Sequence, residues 1–182
     1  MPECLTTPRV ELDSCENGQL QNADDAGATT FCVLLDHREH GTASLLREGL
    51  ESFQGCALVA YNDAVFTDKD LDSIQHVGGS RKNDADGRAK TGKFGLGFNS
   101  CYHVTDVPSI VTRGYLLFLD PSCRRLGNGD TGLGQDFGAA PHLVVEHADQ
   151  FAPYRGLFGC SFAGPYEGTL FRLPLRSASH AQ

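Results

Sequence analysis

The sequence predicts a single α/β domain of the α+β class, a two-layer sandwich in which helices cover one face of a mixed, mostly antiparallel sheet. Three observations favour this class: strand-length apolar runs, a two-residue hairpin connection, and helical segments with capping residues between the strands. The chain has 182 residues, which suits one hydrophobic core, and its 40% hydrophobic and 21% charged content is ordinary for a globular domain.

The composition excludes several classes of partner and site. A net charge of -8 argues against general binding to nucleic acid or to an anionic membrane. The seven cysteines are odd in number and include no C-x-x-C pair, so we expect neither a zinc site nor a disulfide framework. The N-terminus has no signal-peptide pattern and the apolar runs are short, so a protein of the cytoplasm, or of the nucleus, is expected.

The first third of the chain predicts a helix followed by two strands. Residues 1–17 contain two prolines and no sustained period, and we expect a poorly ordered leader before a domain over 18–182. Apolar residues recur at helical spacing over 18–26, and Gly27 is placed to end that helix. The β-branched and apolar runs at 29–35 and 57–61 predict the strands.

The middle of the chain predicts a loop over 62–66, a helix over 68–75 and a mobile segment. Thr67 is a suitable N-cap, and Asp68 and Asp70 fall in the first turn, where the helix dipole favours negative charge. Residues 76–91 are rich in glycine and charge, and we expect a mobile lid there.

A glycine-rich loop follows, in which Gly92, Gly95 and Gly97 form a G-x-x-G-x-G pattern. Glycines let backbone N–H groups converge, and a helix predicted over 98–104 follows directly, so phosphate is the natural ligand. With this glycine content, chance alone would supply about 0.3 such patterns, and the competing interpretation is a tight strand-to-helix turn.

The last third of the chain contains more predicted strands than predicted helices. Two strands, over 109–112 and 115–120, face each other across Arg113-Gly114, which is a hairpin signal. The glycine-rich residues 127–140 predict a flexible loop, and residues 144–150 a short helix. Residues 168–175 alternate as a strand that we expect at an edge or a terminus, because Pro174 lies near its end.

Four separated blocks together resemble the split ATPase superfamily of the large heat-shock chaperone, DNA gyrase, mismatch-repair and histidine-kinase proteins. They are QNADDAGAT at 21–29, YNDAVFT at 61–67, GKFGLGFNSCYHVTD at 92–106 and GTLFRLPLR at 168–176. The closer resemblance is to sacsin-like proteins, and it covers nearly the whole chain. It implies the Bergerat ATP-binding fold, ATP and Mg²⁺ as cofactors, and a chaperone role in protein quality control with chaperones or client proteins as partners.

The resemblance also implies a set of nucleotide-binding residues. They are Asn22, Asp25, Asn62, Asp63, Phe66, Gly92, Lys93, Phe94, Gly95, Gly97, Phe98 and Thr169. The amide oxygen of Asn22 suits a Mg²⁺ ion that keeps several waters. Asp63, or its neighbour Asn62, would accept the exocyclic amine of adenine, and the sequence leaves open which of them does so.

The remaining residues of the set have roles that general chemistry supports. The glycines would present N–H groups to the phosphates, with Phe94 and Phe98 packing the loop and Lys93 either adding a charge or lying in solvent. The Thr169 hydroxyl can bond a ring nitrogen directly or through water. Phe66 would form a wall of the base slot, although an aromatic residue after a strand is more often part of the core.

One position departs from the family pattern. Relatives carry a glutamate four residues before the helix asparagine, as the general base that activates water, and here that position is Gly18. Glu16 is a weak substitute, because on a regular helix it faces about 160° away from the family position. We therefore expect a nucleotide-binding module with little or no hydrolysis. Two alternatives stay open, a weak but active ATPase and a nucleotide-free protein-interaction module.

Overall fold

The computed structural model describes residues 9–79 and 98–176, which form a six-stranded sheet with helices. The α-helices are α1 (Arg9–Asp25), α2 (Asp68–Gly79), α3 (Leu143–Glu146) and α4 (Ala148–Phe151). The strands are β1 (Phe31–Asp36), β2 (Ala57–Asn62), β3 (Ser109–Arg113), β4 (Tyr115–Leu119), β5 (Gly132–Asp136) and β6 (Tyr166–Pro174). Short 3-10 helices occupy Glu48–Phe53, Phe98–His103, Ala152–Tyr154 and Leu157–Gly159.

The sheet has the strand order β1-β2-β6-β3-β4-β5. All five neighbouring pairs in the described part of the chain are antiparallel, so the mostly antiparallel sheet of the prediction contains no parallel pair there. The hairpin across Arg113-Gly114 is confirmed, since Thr112 pairs with Tyr115. The α+β class is therefore confirmed.

Two hydrophobic clusters lie on the two faces of the sheet. On the first face, which we call the α-layer face, buried residues of α1, α2 and the 3-10 helix Phe98–His103 pack against Leu58, Phe171 and Leu173. The opposite face packs against the short helices, including Leu50 of Glu48–Phe53 and Phe151 of α4. The long helices thus share one face, and short helical turns close the other.

Helix α1 is longer than the sequence predicts. Residues 9–17, which were expected in a poorly ordered leader, belong to this helix, whereas residues 1–8 lie outside the described residues. The physical reason is a buried stripe at positions 15, 18, 19, 22 and 23, which has helical spacing and continues past Gly18 toward the N-terminus. A glycine in the helix interior costs only about 1 kcal/mol, which this burial offsets.

Two strands also differ from the prediction. Residues 132–136, expected in a flexible loop, form the edge strand β5. Antiparallel pairing with β4 fixes a backbone that its glycines would otherwise leave flexible. Strand β6 was expected at an edge or a terminus, yet it lies in the sheet interior between β2 and β3. Pro174 is tolerated there because it is the last residue of the strand, opposite Ala57.

The start of α2 agrees with its predicted cap. Thr67 Oγ1 accepts a hydrogen bond from the Asp70 N–H at 3.3 Å, and Asp70 Oδ2 accepts one from the Thr67 N–H at 2.9 Å. Residues 76–79 of the predicted lid are the last turn of α2, and residues 80–91 lie outside the described residues. Within the described ranges, every helix is too short or too polar to cross a bilayer.

Candidate functional site

The C-terminal end of α1 places Asn22 beside the sheet. Gly27, with φ +73, ends the helix, because its N–H bonds Asp24 O and the Ala28 N–H bonds Ala23 O. Helix α1 packs against β1, β2 and the 3-10 helix Phe98–His103. The Asn22 side chain is 8% exposed, and its Nδ2 is buried with no hydrogen-bond partner in the described part of the chain. Such an orphaned donor marks a position where a ligand or an ordered water fits.

The register of the strands aligns a polar row on the α-layer face. Asn62 of β2 pairs with Thr169 of β6, and Thr169 pairs with Thr112 of β3, so their side chains point to the same face. Tyr115 continues this row on β4, and the apolar Phe31 of β1 lies beside Asn62 at the other side. Two sequence blocks far apart in the chain, around positions 62 and 169, thus lie at one end of the sheet, and the turn that follows α1 is bonded to the same end through Asp63.

The hydroxyl of Thr169 is hydrogen-bonded to the loop that follows β2. Its Oγ1 donates to Ala64 O at 2.7 Å and lies 3.2 Å from Thr112 Oγ1, which in turn accepts the Phe66 N–H at 3.2 Å. Because a carbonyl oxygen can only accept, the Thr169 proton points to Ala64, and the Thr112 proton is left to bond Thr169. Loop 63–66 is thereby tied to β3 and β6.

Asp63 connects the ends of β1 and β2. Its Oδ1 accepts the N–H groups of Thr29 at 2.8 Å and of Thr30 at 3.0 Å, and its Oδ2 accepts the Thr29 hydroxyl at 2.5 Å. The Thr29 hydroxyl, followed by the Thr30 N–H, lowers the pKa of Asp63 to about 2. Both carboxylate oxygens are therefore used to hold the turn between α1 and β1.

Asn62 has one end of its amide fixed. Its Oδ1 accepts the Ala64 N–H at 3.1 Å, which leaves the Nδ2 group as the end available for other contacts. Gly168 lies against this position, since a Cβ there would come within 2.9 Å of Asn62 O and 2.8 Å of Tyr61 Cε2. The close approach to β2 thus favours glycine at position 168, and the hydrogen bond to Ala64 O favours threonine at position 169.

The two phenylalanines of the predicted site that the structure describes are core residues. Phe66 and Phe98 are 7% and 8% exposed, and each packs against Phe171 with ring centroids 6.3 and 6.2 Å apart. Asp25 lies exposed on the last turn of α1. Five further residues of the predicted set lie outside the described residues: Gly92, Lys93, Phe94, Gly95 and Gly97.

Helix α1 also places Gly18, the position at which the resemblance implies a general base. Gly18 lies one turn before Asn22 on the same buried stripe of α1. Glu16 lies off this stripe and is only partly buried. On the face that Asn22 shares, position 18 therefore offers no carboxylate.

Sequence reasoning did not find Thr112, Tyr115, Thr29 or Thr30. Thr112 and Tyr115 could have been found by extending the predicted hairpin across the sheet, but that step requires the neighbour of β3, which sequence alone did not supply. Thr30 acts through its backbone N–H group, which carries no sequence signal, and Thr29 acts through both its N–H group and its hydroxyl.

Replacement of Thr169 by valine tests the hydroxyl chain. We expect Thr169→Val to lower the free energy of unfolding by about 1–2 kcal/mol, because Ala64 O loses its donor. Urea denaturation measures the change. Thr131→Val is the matched control, since the Thr131 Oγ1 is buried without a partner in the described ranges and no hydrogen bond is lost. Equal losses in the two variants would contradict the assigned role.

Acid denaturation tests the Asp63 contacts. The folded pKa of about 2 lies below the usual carboxyl value, so its stabilisation is present above about pH 4 and disappears as the pH falls through 2. In Asp63→Asn we expect this part of the loss of folding stability at low pH to be absent. Thr29→Val keeps the carboxyl but removes one donor, so the folded pKa of Asp63 should lie nearer its usual value, and the loss of stability should be smaller and complete at a higher pH. Superimposable acid profiles of all three proteins would argue against the Asp63 assignment.

The residues described do not form a metal centre by themselves. In the part of the chain that the structure covers, no group of three or more His, Cys, Asp or Glu side chains could hold a metal ion. A magnesium ion here would need phosphate oxygens and waters for most of its ligands, with Asn22 as a protein donor.

Comparison with known proteins identifies the relatives of this chain. The family model described as the Sacsin domain matches residues 17–182. A protein named sacsin, from Homo sapiens, is 41% identical over 170 residues; the match covers 88% of this chain and 4% of that protein. This chain thus spans a small part of the length of that relative.

Proposed function

The chain belongs to the sacsin domain family, and from that premise we propose that it binds ATP or ADP with Mg²⁺ on the α-layer face, at the end where Asn62 pairs with Thr169 and to which the turn after α1 is bonded. The observation that carries the proposal is that the separate sequence blocks at 62 and 169 come together at one end of the sheet, while the last turns of α1 carry a buried Asn22 amide donor with no partner among the described residues. Pockets of this kind combine apolar walls with a few placed polar groups.

Each described residue fits a part of such a ligand. Asn22 would supply an oxygen to Mg²⁺. The side chains of Asn62 and Thr169 would face the base. Phe66 and Phe98 would pack beneath the site as part of the core. The glycines of 92–97 are the expected phosphate contacts by sequence. The bound metal would neutralise phosphate charge, as Mg²⁺ does with nucleotides generally.

We further propose that hydrolysis is slow or absent, and that the domain acts as a chaperone-type binding module. The position one turn before Asn22 is Gly18, which cannot accept a proton from water. Glu16 lies off that face of the helix. Client proteins and chaperone partners are expected from the family resemblance.

A thermal-shift titration tests binding. A ligand at 100 times its Kd adds about 2.7 kcal/mol to the free energy of unfolding, so Mg·ATP and ADP should raise the Tm by several degrees. In Asn22→Ala the added effect of Mg²⁺ should be lost, whereas the adjacent, exposed Gln21→Ala should respond as the native chain does. An unchanged Tm at millimolar nucleotide would contradict the proposal.

Phosphate release tests the absence of hydrolysis. We expect near-background release from the native chain and a gain in Gly18→Glu, which restores a carboxylate on the face of Asn22. The matched variant is Glu16→Gln, which should change nothing. Clear native turnover that falls in Glu16→Gln would instead favour the weak-ATPase alternative.

A further inference from the structure

Strand β1 forms one end of the sheet and leaves an edge that nothing in its sequence protects. Its outer side has no neighbouring strand within residues 9–79 and 98–176. Edge strands commonly carry a charge, a proline or a bulge that blocks pairing with another chain. Residues 31–35 contain no charged residue and no proline, and their register with β2 is regular. The other edge strand, β5, contains two glycines and ends at Asp136, so β1 is the edge that can accept another strand.

The side chains of β1 leave apolar surface on both faces of this edge. Val33, Leu34 and Leu35 are 39%, 37% and 44% exposed. Val33 pairs with Ala60 and Leu35 with Leu58, so both point to the α-layer face, while Leu34 points to the opposite face. Single exposed apolar side chains are ordinary, but consecutive ones on an edge strand present surface that a further strand would cover.

The backbone shows which groups of β1 are available for pairing. The Asp63 N–H donates to Thr30 O at 3.3 Å, so the N–H and C=O groups of Thr30 point toward β2. This direction alternates along an antiparallel strand, and the backbone groups of Phe31, Val33 and Leu35 therefore point away from β2. Phe31, Val33 and Leu35 are the residues that a further strand would meet.

These residues are complementary to themselves. If a second copy of β1 is placed antiparallel about a two-fold axis at Val33, Val33 lies opposite Val33 of the second copy and Phe31 lies opposite its Leu35. Every outward N–H then meets an outward C=O, and only apolar side chains oppose one another. Asp36, whose Oδ1 lies 2.8 Å from Arg38 Nε, would lie opposite Thr30 and not opposite another carboxylate.

We propose that β1 is an interaction surface that pairs with β1 of a second copy of this chain, around a two-fold axis at Val33, and joins the two sheets into one. A second copy is the partner that the edge fits, because its length, its hydrogen-bonding groups and its lack of charge match themselves. One pair of strands of this length buries less than the about 1,600 Å² of a standard interface, so the dimer is reversible. The surface is separate from the proposed nucleotide site.

Sedimentation of the native chain over a range of concentrations tests the pairing. We expect the average mass to rise from that of one chain toward that of two between about 1 µM and 0.3 mM. Val33→Pro should stay monomeric, because it removes an N–H that points away from β2 and leaves the pairing within the sheet intact. Val33→Lys should also stay monomeric, since it places two like charges opposite each other at the axis. The matched control is Val145→Lys, which changes a 79% exposed valine of α3 and should dimerise as the native chain does.

Disulfide cross-linking tests the register. In a Cys32→Ser background, Val33→Cys would place two thiols at directly opposed positions, with Cα atoms about 5.5 Å apart, within the range of a disulfide. Leu35→Cys is the control on the same strand and face, because its two copies would lie about 14 Å apart along the strands. On mild oxidation we expect Val33→Cys to form the covalent dimer at least about tenfold faster than Leu35→Cys or Cys32→Ser alone, as measured by non-reducing electrophoresis.

Three results would overturn the proposal. A native chain that stays monomeric at about 0.3 mM would show that a second copy does not cover the edge, and would leave it to a different extended chain. Native-like dimerisation of folded Val33→Pro and Val33→Lys would place the interface elsewhere. Equal cross-linking of Val33→Cys and Leu35→Cys would exclude the two-fold register at Val33.

Discussion

Arg172→Ala is expected to lower the free energy of unfolding by about 3–5 kcal/mol, and the Tm by roughly 10 °C. The side chain is 2% exposed, and its guanidinium donates to Phe53 O at 2.6 Å and to Gly55 O at 2.5 Å. Alanine would leave both carbonyls without these donors and open a cavity on the opposite face of the sheet. The turn at 53–55 leads directly into β2, so the loss would reach the strand that carries Asn62.

Urea denaturation of the purified variant measures this effect. The matched control is Arg124→Ala, which removes an exposed arginine side chain and should change the free energy of unfolding by less than about 0.5 kcal/mol. Loss of less than about 1 kcal/mol in Arg172→Ala would show that the buried guanidinium does not hold the turn.

Gly168→Ala is expected to destabilise the domain by about 1–3 kcal/mol and to abolish nucleotide binding at ligand concentrations that saturate the native chain. The added Cβ would lie 2.9 Å from Asn62 O and 2.8 Å from Tyr61 Cε2. Tyr61 cannot easily turn aside, because its ring stacks on Phe158 with centroids 4.8 Å apart. The backbone at Asn62 must therefore shift, and the row on the α-layer face shifts with it.

Chemical denaturation and nucleotide titration of the same sample separate the two effects. Gly164→Ala is the control, since a Cβ at that position meets no atom within 4 Å and its backbone does not have a positive φ. It should bind nucleotide as the native chain does. Native-like binding by Gly168→Ala would contradict a role for this close approach in shaping the site.

The fold was predictable wherever local chemistry determines the structure. The Thr67 cap, the stop at Gly27 and the hairpin at Arg113-Gly114 are decided by residues close in sequence, and all three are confirmed. Strand β5 was missed because its glycines resemble a loop and its order comes from pairing with β4. The interior place of β6 was missed because strand order depends on contacts distant in the chain.

The candidate site shows the same division. The sequence motifs pointed to Asn22, Asn62 and Thr169, and the strand register brings the last two together on one face. The motifs could not separate Asn62 from Asp63, because both are polar and adjacent. In the structure the two residues differ because the Asp63 carboxylate accepts three hydrogen bonds. Two of these come from backbone N–H groups, which no sequence pattern displays.

Hydrogen exchange of the native chain with and without Mg·ADP tests most directly whether nucleotide occupies the α-layer face. We predict slower exchange in peptides covering 20–30, 61–67 and 92–98, which hold the Asn22 end of α1, the loop after β2 and the glycine loop. The segment 158–167, which lines a cavity of about 280 Å³ beside residues of the opposite face, should exchange at the same rate in both samples. Protection confined to 158–167, or no protection at saturating nucleotide, would contradict the proposed site.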